Sequence, residues 1–194
     1  MIGFDYDLEQ WINGPAGHHP IWDSLAVQVA GWAEPLFIAV VVLWFILGWL
    51  RGRAPDRYGA LAALLAAGGA LSINLIISHI WLRARPFVAH PGTVHLLLSH
   101  SRDASFPSDH AAAAFAISVV LLAVHRRAGL AALTFAAAMS YARVYVGDHY
   151  PGDVLAGAAI GLVVGALFVR WQEPLAATLG RFVDGRLKAM HLPL

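Results

Sequence analysis

Cysteine is absent from the 194-residue chain, which excludes disulfides and thiolate metal sites. Charge is scarce too: Asp, Glu, Lys and Arg make up 13% of the residues, against about 25% in soluble globular proteins. The basic residues form no long run and the net charge is +1, a balance that argues against nucleic acid as a partner. The acidic N-terminal stretch MIGFDYDLEQWINGP has neither the basic n-region nor the continuous apolar core of a secretory signal peptide. Targeting is therefore expected to reside in the apolar segments that follow.

Those segments dominate. The chain is 59% hydrophobic, with a mean hydropathy of +0.63, and the lipid bilayer is its expected solvent. A hydrocarbon core about 30 Å thick takes about 20 apolar helical residues per crossing, which leaves room for five or six spans and little else. The expected fold is all-α: a single membrane-embedded helical bundle over residues 1–194, with about five transmembrane helices. Residues 1–33 are expected to form short interfacial helices. Phe4, Leu8, Trp11 and Ile12 recur at helical spacing between Asp5, Asp7 and Glu9, and a second amphipathic piece, 21–33, is expected to stop at Glu34-Pro35.

Spans are expected at about 36–50, 59–82, 108–124, 130–146 and 154–171. In the second, Asn74 and Ser78 share a face, and polar side chains at such depth face a neighbouring helix or a water-filled cavity. In the fifth, Gly157, Gly161 and Gly165 fall at intervals of four, a stripe that lets another helix approach closely. It could pack within the chain or between chains, so the oligomeric state stays open. The longest polar segment, 83–105, is expected to be an outer loop covering a site.

With five spans, Arg51, Arg53, Arg57, Arg126, Arg127, Arg170, Arg181, Arg186 and Lys188 share one side, and Arg83, Arg85, Arg102 and Arg143 the other. Cytoplasmic loops carry the excess of Lys and Arg. The C-terminus is thus expected inside, and FPSDH (106–110) and HYPGD (149–153) on the outer side.

Those two outer segments carry the chemistry. Arg85 and Arg143 offer planar guanidinium forks that match phosphate oxygens. The start of the helix at Pro107-Ser108-Asp109 adds backbone donors and the positive end of a helix dipole, and Ser108 adds a hydroxyl. An imidazole with one nitrogen facing phosphorus and the other held by a carboxylate is oriented and made more basic. His149 and Asp153 have the i, i+4 spacing for such a pair, although Asp153 equally suits an N-cap. His110 is then the acid that protonates the departing oxygen.

The set Arg85-Pro86, Pro107-Ser108-x-His110, and Arg143 with His149 and Asp153 resembles the three-part signature of the type 2 phosphatidic acid phosphatase superfamily. The resemblance runs from about the second span to the fifth. It implies an α-helical bundle, metal-independent catalysis without a cofactor, and a phosphohistidine intermediate on His149. By the same resemblance His110 is the general acid, Asp153 orients His149, and Arg85, Ser108 and Arg143 cradle the phosphate. Three positions depart from the pattern. Ser78 stands where the family has Lys, so that cationic contact is either missing or supplied by His79 or Arg83. Asp109 replaces Gly and would assist with a diphosphate, and Ala142 replaces Ser.

Within the superfamily, the small size, FPSDH and ARVYVGDHYPGD resemble bacterial undecaprenyl pyrophosphate phosphatases of the bacitracin-resistance type. The resemblance implies a multi-pass protein of the bacterial cytoplasmic membrane acting on a lipid phosphate, its site facing the periplasmic or extracellular side in cell-wall biogenesis. Two other readings stay open: a phosphatase for phosphatidylglycerophosphate or phosphatidic acid, and a transporter that binds lipid or phosphate without hydrolysis.

Overall fold

The computed structural model describes residues 2–189, with side-chain surroundings for residues 3–170. The described residues form seven helices and no strand: α1 (Ile2–Asn13), α2 (Pro20–Leu50), α3 (Ala54–Ile80), α4 (Pro86–Ala89), α5 (Asp109–Val124), α6 (Arg126–Tyr145) and α7 (Pro151–Ala189). Three are long and apolar enough to cross a membrane, namely α2, α3 and the stretch Pro151–Arg170 of α7. The shorter α5 has 16 residues. It lies at the centre of the bundle, packed against α3, α6 and α7, while α2 covers α3 and α6. A helix that other helices surround need not match the bilayer by itself.

The span limits expected from the sequence shift in one informative place. Glu34-Pro35 does not end a helix: Pro35 lies inside α2, which runs unbroken for 31 residues, about 46 Å at 1.5 Å per residue. The separate amphipathic piece expected at 21–33 is the first half of that helix. Proline removes one backbone hydrogen bond, but helical structure still satisfies the remaining backbone groups in a medium without water. Around Pro35, Ala30, Ala33 and Phe37 are buried against the core and hold both halves in line.

Small residues set the helix separations. On α3, Ala60, Ala63, Ala66 and Ala70 are buried, and on α5 Ala112, Ala114 and Ala116. The glycine stripe of α7 faces α5 within the same chain. A Cβ at Gly157 would lie 2.3 Å from the Ser108 carbonyl oxygen, one at Gly161 2.3 Å from that of Ala112, and one at Gly165 2.9 Å from that of Ala116. The two backbones are thus in direct contact over three successive turns.

The antiparallel path brings the C-terminal ends of α3 and α6 and the N-terminal ends of α5 and α7 to one end of the bundle. The opposite end is tied by Asp56 of α3, whose Oδ1 lies 2.7 Å from His125 Nε2 at the α5–α6 turn. Over the first end sits α1, in the place of the short helix expected at 4–13. Buried Asn13 fixes it by donating to the carbonyls of His95 at 2.9 Å and Tyr145 at 2.7 Å. Phe4 and Trp11 point outward. Glu9 points inward, and burial raises its pKa. The basic tail residues Arg181, Arg186 and Lys188 lie outside the residues whose side chains are described.

Candidate active site

His149 follows α6 in a tight turn at Val146–Tyr150, where Gly147 adopts a φ of +82°, a left-handed conformation that favours glycine. The turn buries the imidazole at 2% exposure. Its Nδ1 lies 3.0 Å from the carbonyl oxygen of Ser105 and 3.6 Å from Asp153 Oδ2. A carbonyl can only accept, so Nδ1 carries the proton and Nε2 keeps its lone pair. Nε2 faces Arg85 Nη1 at 3.3 Å.

Asp153, in the first turn of α7, is fully buried. Its Oδ2 accepts from the Tyr150 amide at 2.9 Å and from the Ser105 hydroxyl. Its Oδ1 is 2.7 Å from Arg83 Nη1. It therefore combines a capping bond at the helix start with a place beside the His149 ring.

Arg85 and Arg143 flank the imidazole face. Arg85 is 5% exposed and ion-paired through Nε to Asp103 at 2.8 Å and through Nη1 to Asp148 at 2.7 Å. Arg143 is 2% exposed, and its Nη2 lies 3.0 Å from Asp148 Oδ2, 2.8 Å from His110 Nδ1 and 3.3 Å from His100 Nε2. Guanidinium has no lone pair to offer, so the His110 ring accepts from Arg143, whose Nη2 lies 2.8 Å from Nδ1 and 3.2 Å from Nε2, and Nε2 also faces Glu34 Oε2 at 3.3 Å. Every step from His110 through Arg143 and Asp148 to His149 is a contact below 4 Å. One cluster brings together both imidazoles and both guanidinia.

The side chains of the remaining predicted positions bond outside this cluster, although the Ser108 amide donates to the Asp153 carbonyl at 3.0 Å. Ser108 is the N-cap of α5, its hydroxyl oxygen 3.5 Å from the Ala111 amide. Asp109 is exposed and accepts from Asn74 Nδ2 at 2.9 Å. His79 is exposed, with Nδ1 on the Leu75 carbonyl at 2.7 Å, and Ser78 bonds that same carbonyl at 3.0 Å. Both are satisfied by their own helix, as short polar side chains at i−3 and i−4 often are. Neither supplies the missing cation, nor does Arg83, which points to Asp153 and Asp5 instead.

The sequence profile of the PAP2 superfamily matches residues 57–176. The chain belongs to the PAP2 superfamily. Among PAP2 relatives, it is 36% identical over 171 residues to the undecaprenyl-diphosphatase BcrC of Bacillus subtilis, covering 88% of this chain and 86% of that one. It is 42% identical over 185 residues to the lipid A 4'-phosphatase of Bacteroides thetaiotaomicron, covering 92% and 81%. The crystal structure of a transmembrane PAP2 type phosphatidylglycerolphosphate phosphatase from Bacillus subtilis superposes with a TM-score of 0.71 at 19% identity. That match covers 89% of this chain and 86% of the other. Its apolar helices and these relatives make the chain a multi-pass membrane protein.

The PAP2 bundle also places residues in the site that their local sequence does not announce. Ser105 holds His149 and Asp153 together, Glu34 stands behind His110, and Asp148 joins the two guanidinia. Arg83 joins the catalytic end of α7 to α1: its Nη2 lies 2.6 Å from Asp5 Oδ2, its guanidinium stacks 3.8 Å from the Tyr150 ring centre, and Asp5 Oδ1 accepts from the Gly152 amide at 2.8 Å. Arg83 therefore helps to position Asp153, with the Tyr150 amide and the Ser105 hydroxyl. Replacing Arg83 with Met is expected to lower kcat by about 100-fold, the loss typical of an ångström-scale misplacement, while KM changes little. Steady-state kinetics that show the reverse split would mean that Arg83 contacts substrate.

Burial would raise the Asp148 carboxyl, but the Arg143 and Arg85 guanidinia beside it hold it below the usual carboxylate range. Asp148 is thus an anion, and the pocket already balances its positive charge.

Proposed function

We propose that the protein is a membrane lipid phosphatase that removes the terminal phosphate of a polyprenyl diphosphate, converting undecaprenyl pyrophosphate to undecaprenyl phosphate. One observation carries the reading: His149 Nε2 faces the buried Arg85 guanidinium, with buried Arg143 joined to the same place through Asp148, and its Nδ1 proton is held from behind. That is the arrangement a phosphorus nucleophile requires. The 36% identity to BcrC over most of the chain favours the diphosphate.

His149 Nε2 attacks the terminal phosphorus in line. A P–N bond forms, the P–O bond to the inner phosphate breaks, and Arg85 and Arg143 neutralise the equatorial oxygens. As the phosphoryl oxygens take over the Arg143 guanidinium, His110 Nδ1 is freed to take up a proton from solvent, and the resulting imidazolium, with Glu34 beside its Nε2, gives a proton to the departing lipid phosphate. The same imidazole then takes a proton from water, whose oxygen attacks the phosphohistidine and releases inorganic phosphate. Ser105 and Asp153 stabilise the charge that develops on His149. Three carboxylates of the pocket are already paired with a guanidinium: Asp103 and Asp148 with Arg85, and Asp153 with Arg83.

The basic residues flanking the ends opposite the site, Arg51, Arg53, Arg57, Arg126 and Arg127, favour a cytoplasmic location for those ends. The pocket then opens at the outer face of a bacterial cytoplasmic membrane, where it supports recycling of the cell-wall carrier lipid. A phosphomonoester lipid is the second reading, favoured by the identity to the lipid A phosphatase.

Phosphate release from purified protein with undecaprenyl pyrophosphate, phosphatidylglycerophosphate, phosphatidic acid and lipid A separates the two. The diphosphate is expected to give the highest kcat/KM, with turnover undiminished by EDTA. Preference for a monoester would transfer the assignment to the second reading, and loss of turnover in chelator would overturn the histidine mechanism.

A further inference from the structure

Asp148 lies where the groups that should receive a phosphoryl oxygen converge. It is 1% exposed. Its Oδ1 is 2.7 Å from Arg85 Nη1 and 3.7 Å from His100 Nδ1, and its Oδ2 is 3.0 Å from Arg143 Nη2 and 3.8 Å from His149 Nε2. A phosphorus attacked by that nitrogen must come within about 3–3.5 Å of it, with its oxygens on the same guanidinia. Carboxylate and phosphoryl oxygens are interchangeable ligands for such forks. The side chain of Asp148 therefore fills the space the reaction needs.

Two details distinguish this from a permanent structural ion pair. Asp148 Oδ2 is buried close to Arg143 yet accepts no hydrogen bond, and the buried Nε of Arg143 has no partner either. The pairing with Arg143 leaves both groups incompletely satisfied, although buried polar atoms are nearly always bonded. Charge points the same way. Arg85 and Arg143 are balanced by Asp103 and Asp148, so a phosphate dianion arriving beside Asp148 would bring like charges together in a buried site.

We infer that Asp148 is an internal competitor for the phosphoryl seat: it holds both guanidinia while the site is empty, yields to a terminal phosphate, and returns to expel inorganic phosphate. This rests on the phosphatase reading above and extends it to selectivity. A terminal phosphate carries up to two charges and displaces a single carboxylate. The phosphodiester of an ordinary membrane phospholipid carries one and is bulkier, so it does not. The bilayer presents such diesters in vast excess at the mouth of the site, and Asp148 keeps them from acting as inhibitors.

The test uses the full-length protein, with inorganic phosphate and orthovanadate as competitive inhibitors and phosphatidylglycerol in mixed micelles as the diester. Asp148→Asn removes the competing charge. Because an occluded state lowers apparent affinity by the fraction of protein that is open, this variant is expected to bind phosphate about tenfold or more tightly. It should also become sensitive to phosphatidylglycerol, while Asp148→Glu stays close to wild type. A phosphate affinity in Asp148→Asn equal to or weaker than wild type overturns the proposal.

If that variant does not fold, a structure of the wild-type protein with vanadate decides. The anion is expected between Arg85 and Arg143, with the Asp148 carboxylate out of hydrogen-bond reach of both. Vanadate bound while Asp148 still bridges them overturns the proposal. Wild-type protein that releases phosphate from no lipid and binds none would instead remove the phosphatase reading itself.

Discussion

Replacing His149 with alanine is expected to lower phosphate release by about 10⁴-fold or more, the scale on which loss of a nucleophile acts when the rest of the site still binds substrate. The cradle should survive, because Arg85 and Arg143 are fixed by Asp103, Asp148, His110 and the Ala30 carbonyl, not by the imidazole alone. KM is therefore expected to change little. A second readout separates chemistry from folding. Wild-type protein quenched in turnover should carry an acid-labile, base-stable phosphoryl group, and His149→Ala should carry none. Substantial residual turnover in the variant would assign the nucleophile to another residue.

Arg143→Ala is the second large effect, expected in activity and stability together. One guanidinium touches His110, His100, Asp148 and the backbone of α2, so its removal strips the transition state of a donor and leaves a buried carboxylate with one cation fewer. Loss of one preorganised donor costs about 10²–10³ in kcat, and breaking a buried ion pair from one side costs about 3–5 kcal/mol of stability. Activity assays paired with thermal unfolding in detergent should show both losses. Arg143→Lys is expected to recover stability better than rate, because a single ammonium cannot address His110, Asp148 and a phosphoryl group at once. A variant with full thermal stability and a 10³-fold activity loss would confine Arg143 to catalysis.

The residues legible in the sequence share one property: their chemistry is evident at short range, at a helix end. Arg143, His149 and Asp153 lie within eleven consecutive residues, and the turn between α6 and α7 brings them together. Arg83 and Ser105 were harder to read because their partner, Asp153, lies 70 and 48 residues away. Nothing local distinguishes such residues from ordinary loop polars. Asp148 sat in full view inside the motif, but an acidic residue beside a histidine in a tight turn suggests solvent, and only tertiary packing makes it a ligand of two arginines. His79 and Ser78 show the opposite error. Their position invited a role at the site, but their own helix answers their hydrogen-bonding needs. Pro35 was read from its local cost, whereas the membrane environment makes the alternatives to helix costlier still.

The glycine ladder between α5 and α7 works as an index. Ser108, Ala112 and Ala116 meet Gly157, Gly161 and Gly165 one for one, so the helices can slide only by a full turn, about 5.4 Å. His110 lies in the first turn of one member of this pair and His149 two residues before the other. The span between the two imidazoles is therefore quantised. A thicker or thinner bilayer must tip the bundle as a whole, and cannot stretch the gap between those two rings.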